Sequence, residues 1–70
     1  MKHPETGTFG YRLRAARQER GLSQAQLGAI VGIGQGLIAK YENNVVYPTV
    51  STLEWLCTAL CIKSSDLLGF

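Results

Sequence analysis

The sequence predicts an all-α domain, a compact bundle of five short helices. Three observations predict it. Apolar residues recur at three- and four-residue spacing. Each periodic segment is preceded by a residue able to cap a helix, and the first three stop at a glycine or asparagine. No stretch joins period-two alternation to the turn chemistry of a strand. Seventy residues suffice for one domain, and a chain this short gains stability from a partner subunit.

Thr8 caps the first helix, residues 9–20, and Phe9, Leu13 and Ala16 form its buried stripe. Arg12, Arg14 and Arg20 point elsewhere. Arg17 lies one step from the stripe, so it needs a partner. Gly21 ends the helix and Leu22 links it to the core. Ser23 caps the second helix, residues 24–31, and Gln26 completes a capping box. Leu27 and Val31 share its buried face. Gly28 costs about 1 kcal/mol of helix propensity, which points to a close approach between two helices. Gly32 stops the helix in a left-handed conformation, and Ile33 returns to the core. Gly34 is a weak cap for the third helix, which runs to about residue 43 and buries Ile38 and Tyr41. Gln35, Gly36, Leu37 and Lys40 form its outward set. Two helices across a glycine turn, the second with a polar outer face, is a layout that places side chains in a DNA major groove.

Asn43 and Asn44 end the third helix, Asn44 taking the left-handed conformation. The loop Val45-Val46-Tyr47 is apolar, Pro48 extends the residue before it, and Thr49 caps the fourth helix, residues 50–60. Leu53, Leu56, Cys57 and Leu60 are its core positions, with Trp55 partly outside. Ile62 packs after the break. Ser64 or Ser65 caps a last short helix containing Leu67 and Leu68. Residues 1–7 read as a flexible N-terminal arm, and residues 8–70 as the folded domain. Lys2 and His3 in the arm are within reach of a phosphate; a solvated tail is the plainer reading.

The net charge is +2, but it is unevenly spread. Residues 1–40 hold six basic and two acidic side chains, and residues 41–70 hold one basic and three acidic. The positive part contains the third helix, as a phosphate-binding face requires; a solvated face on the first helix would look the same. No apolar run reaches membrane-spanning length and no secretory leader is evident, so a cytoplasmic protein without membrane partners is expected. Cys57 and Cys61 lack the second pair or nearby histidine of a zinc site and read as a core residue and a helix-end residue. His3 is the only histidine. Paired carboxylates, a nucleophile with its base, a phosphate loop and a metal cluster are all missing from the sequence. Catalysis, a cofactor, a metal and a small-molecule substrate are therefore not expected.

The stretch FGYRLRAARQERGLSQAQLGAIVGIGQGLIAKYENN, followed by YPTVSTLEWLCTALCIKSSDLL, resembles the phage-repressor and Cro-like (XRE) helix-turn-helix family across residues 8–68. The resemblance is carried by the Leu-Ser-Gln opening of the second helix, Gly28, Gly32 followed by Ile33, Ile38, and Glu42 with Asn43. Pro48-Thr49, Ala59-Leu60 and Asp66-Leu67-Leu68 complete it. It implies a lambda-repressor-like DNA-binding domain with helices two and three as the helix-turn-helix. It further implies a transcriptional regulator, most often a repressor, that binds double-stranded DNA at a palindromic operator as a homodimer.

On that resemblance, Gln24 faces a phosphate at a helix N-terminus, and Gln35 pairs with adenine N6 and N7. Lys40 reaches guanine or a phosphate, and Asn43 and Asn44 contact the DNA backbone. Gly36 and Leu37 lie on the reading face, and Leu37 is placed to meet a thymine methyl or solvent. Arg17 pairs with Glu42, tying the first helix to the end of the third. The chain departs from the family in four respects: Gly36 has no side chain where relatives often read bases, Gly34 replaces a Ser or Thr cap, Leu37 replaces a small polar residue, and the loop after the third helix is apolar rather than basic. These departures suggest that the loop, with Leu67, Leu68 and Phe70, serves a dimer surface. They also motivate a second function, a protein-interaction module on the same fold, of the antitoxin or regulatory type.

Overall fold

The structure, a computed structural model, describes residues 7–69. Residues 1–6 of the expected arm and Phe70 lie outside it. Five α-helices follow in order: α1 Phe9–Glu19, α2 Gln24–Val31, α3 Gln35–Glu42, α4 Val50–Leu60 and α5 Ser64–Leu68. The described residues contain no strand.

The caps explain the boundaries. Thr8 Oγ1 accepts from the Tyr11 N–H at 3.2 Å, and Thr49 Oγ1 from the Thr52 N–H at 3.2 Å. Both halves of the Ser23–Gln26 capping box are made, at 3.0 and 2.7 Å. Gly34 opens α3 with extended backbone and no side-chain bond. The expectation for α5 needs correction. Its cap is Lys63, not Ser64 or Ser65, because the Asp66 carboxylate reaches back to accept the Lys63 N–H at 3.0 Å. That charge-assisted bond also places an anion in the first turn, where the helix dipole favours it. Gly32 and Asn44 take left-handed backbone, with φ of 87° and 60°. Cys61 does so too, at 56°, a conformation its side chain disfavours and the sequence did not signal.

The core is one cluster at the centre of the bundle. Leu13, Leu27, Ile38, Leu56, Leu60 and Leu67 are fully buried, with Phe9, Tyr41 and Cys57 nearly so. Burying each aliphatic side chain contributes about 1.5–3 kcal/mol. Leu67 is therefore a core residue of α5, packed where α5 meets α1 and α4, and not part of a surface as expected. Leu68, its neighbour, is exposed. Burial, then the nearby carboxylates of Asp66 and Glu54, push the Cys57 thiol up, so it stays a neutral core residue.

Two glycines set helix positions. A Cβ at Gly28 would stand 2.7 Å from the Ile33 carbonyl oxygen, so its close approach is to the turn that launches α3. A Cβ at Gly10 would overlap the Glu42 carbonyl oxygen. Gly10 thus lets α1 lie directly on the end of α3; the sequence implied a tie between these elements through Arg17 and Glu42, but not the part played by Gly10.

Candidate nucleic-acid interface

Glu42, the last residue of α3, has a fully buried carboxylate. A lone buried carboxylate would be costly. Arg17 neutralises it from α1 with two hydrogen bonds, Nε to Oε2 at 2.6 Å and Nη2 to Oε1 at 3.1 Å. Arg17 also donates from Nη1 to the Leu22 carbonyl oxygen at 2.8 Å, fixing the link into α2. Burial pushes the Glu42 carboxyl up. Bonds from Arg17 and Gln24, with the charges of Arg17 and Arg14, outweigh that and hold it below the usual glutamate range. Arg17 is pushed up by its bond to Glu42, against burial. The pairing implied for these two residues is present, and it is tighter and more branched than a simple tie.

The branch leads to the outer face of α3. Gln24 Nε2 donates to Glu42 Oε1 at 3.0 Å, and Gln35 Nε2 donates to Gln24 Oε1 at 2.7 Å. The direction of this chain follows from charge. An ionised carboxylate only accepts, so Gln24 must turn its NH2 group inward and its oxygen outward. Gln35 must then offer Gln24 an N–H. Its second N–H and its carbonyl oxygen remain for the exterior. An exposed glutamine that would otherwise sample many rotamers is held with one donor and one acceptor facing out.

The rest of the predicted set divides. Gly36 and Lys40 are exposed on α3, and a Cβ at Gly36 would meet nothing within 4 Å. Leu37 is partly buried against the core, so much of its side chain serves packing. Asn43 is exposed, its Oδ1 accepting from Arg14 Nη2 at 3.3 Å. Asn44 spends its amide within the chain: Oδ1 accepts the Gly10 N–H at 2.9 Å, and Nδ2 donates to Thr8 Oγ1 at 3.1 Å. It caps the start of α1 from the end of α3. Sequence reasoning missed Gln24's inner bond and the role of Gly10. A helical glycine near a cap was the available signal for Gly10; nothing in the sequence marked the partner of Gln24.

Helices α2 and α3 thus form a helix-turn-helix with an ion-paired base and a polar outer α3 face. The family model described as helix-turn-helix matches residues 13–66, and the chain belongs to that family. The chain is 37% identical over 62 residues to an immunity repressor protein of Bacillus phage phi105, a match covering 89% of this chain and 43% of the relative's length. It is similar to the P22 c2 repressor solved in complex with a synthetic operator (33% identity, TM-score 0.83, covering 87% of this chain and 92% of that one). It is also similar to the restriction-modification controller protein C.AhdI from Aeromonas hydrophila, at 30% identity and TM-score 0.82, over 90% of this chain and 91% of that one. The expected all-helical, lambda-repressor-like fold is the one found. Among the described residues no helix is long and apolar enough to cross a membrane.

Proposed function

We propose that this chain is a sequence-specific DNA-binding transcriptional regulator of the repressor type, which inserts α3 into the major groove. The observation that carries the reading is the hydrogen-bonded line from Glu42 through Gln24 to Gln35. It presents the donor and acceptor that match adenine N7 and N6, in a fixed orientation. Gly36 brings the α3 backbone close to the bases. Leu37 offers its exposed edge to a thymine methyl, and Lys40 reaches guanine or a phosphate. The α2 N-terminus, where Gln24 keeps a second N–H, faces one strand's phosphates. Asn43 and Asn44 meet the backbone at the far end of α3, Asn44 chiefly by holding that end in place. The similarity to a repressor solved on its operator, and to a phage immunity repressor, supports this reading.

The homodimer on a palindromic operator belongs to the same proposal. Val45, Val46 and Tyr47 form an apolar loop beside α3, and Tyr47 is 70% exposed although its ring packs against Phe9 at 5.7 Å. Burial of this loop between two copies would orient two α3 helices toward half-sites about 34 Å apart. The same exposed loop is what favours the second reading, a protein-interaction module. Selection of bound duplexes from a random pool separates them: a recurrent palindromic motif is expected, and recovery of no common sequence would sink the DNA reading. Gln35→Ala should then weaken the selected operator by about 1–3 kcal/mol and relax preference at one base pair.

A further inference from the structure

The bundle carries a second apolar surface besides the loop after α3. Where α2 meets α4, Ile30, Val31, Trp55, Thr58 and Ala59 line an open groove of about 340 Å³. Ile30 is 58% exposed and Trp55 54%, so two large apolar side chains stand in water across one groove. None of the residues assigned to DNA contact lines it.

The groove bears no charge. Residues 21–39, which include all of α2, hold no acidic or basic side chain, and Glu54, the only charged residue of α4, is not part of the lining. An acidic or basic partner finds nothing there to pair with. An identical face meets no like charge and strips water from none. The patch also holds both halves of a fit. In a two-fold contact the same patch faces itself. Trp55 stands as a knob beside a groove with room for an indole, so each copy's Trp55 can seat in the other's groove.

Area sets how strong such a contact is. Aromatic side chains bury about 150–250 Å² each. With about half of Trp55 and of Ile30 on offer, the patch supplies roughly 300 Å² per copy, well under the about 800 Å² per partner of a stable interface. It does not join free chains in dilute solution. It acts where something else holds two copies close, at a raised effective concentration.

We propose that the Ile30–Trp55 groove is a self-contact between neighbouring dimers, which couples their binding at adjacent operators. This rests on the reading of the chain as a DNA-binding homodimer. Helix α3 rises about 12 Å over its eight residues. The Val45–Tyr47 loop leaves its C-terminal end, while the turn after Val31 leads into its N-terminal end. With the loop at the centre of a dimer, the two grooves lie toward its outer ends, facing the next site along the DNA.

The test is binding of the parent chain, Ile30→Gln and Trp55→Ala to duplexes carrying one or two copies of the operator recovered by selection. The two copies start where they abut and are moved apart through one helical turn, about 10.5 base pairs. At its best spacing the parent should fill paired sites at about 5–150-fold lower concentration than half a turn away. Both variants should lose that gain and keep the parent's affinity for the single operator. A folded Ile30→Gln with the parent's coupling overturns the contact and leaves the DNA reading standing. A parent that fills two sites independently at every spacing does the same, and then the groove serves a different partner. A parent from which selection recovers no operator overturns both. Should Trp55→Ala fail to fold, Ile30→Gln carries the test, because Ile30 already stands largely in water.

Discussion

Helix α3 has two sides built on opposite physics, and its glycine contacts make the difference measurable. On the inner side, α1 crosses so closely that Gly10 has no room for a methyl group beneath the Glu42 carbonyl. There the Glu42 carboxylate is buried and every buried side-chain polar atom in the described residues has a partner. On the outer side, Gly36 faces open space, and Lys40 stands exposed one turn on. The inner side has one solution and defends it. The outer side spends helix propensity and leaves charge unpaired, which makes sense only if something else completes it. A single hydrogen-bonded line, Glu42 to Gln24 to Gln35, crosses between them.

The largest effect should come from breaking the inner side at its charge. Glu42→Ala leaves Arg17 buried without a counter-ion and should cost about 3–5 kcal/mol in chemical denaturation. Because the loss also frees Gln24 and Gln35, a variant still folded at low temperature should bind its operator less selectively. An unchanged denaturation midpoint would mean that the pair contributes nothing net.

Acid reaches the same site without mutation. The Glu42 carboxyl is held down in the folded chain, so the unfolded chain binds its proton more readily. The stability it contributes is present above the ordinary glutamate pKa of about 4.3 and is lost as pH falls from there through the depressed folded value. Denaturation at a series of pH values should show that decline in the parent chain, and a flatter profile in Glu42→Gln.

The two glycines then give the sharpest form of the comparison, because one methyl group is added on each side of one helix. Gly10→Ala should force α1 off α3 and cost about 1–3 kcal/mol. Gly36→Ala meets no neighbour and should instead raise stability by about 0.5–1 kcal/mol. Thermal melts of both variants check the opposite signs. If the gain at Gly36 came with weaker operator binding, close approach of the α3 backbone to DNA would be the reason the glycine is tolerated.

Much of this protein is local and could be read before the fold was seen. The helices and most of their caps follow from chemistry between neighbours: Thr8, Ser23 with Gln26, Gly32, Asn44 and Thr49 each act within a few residues. The local reading failed where a competing local bond was stronger, at Lys63, whose N–H is claimed by an acid rather than left to a serine. The resemblance to repressors pointed to Arg17 with Glu42, but not to what else Glu42 holds. Only tertiary structure decided that Leu67 is core while Leu68 is surface, that Asn44 caps α1, and that Gln24 stands between Glu42 and Gln35. The physical reason is the same in each case. A cap of the usual kind is satisfied by residues three or four positions away, whereas a buried side chain or a distant backbone N–H is answered by whatever the packing brings near it, and packing joins residues that the chain keeps 11 to 36 positions apart.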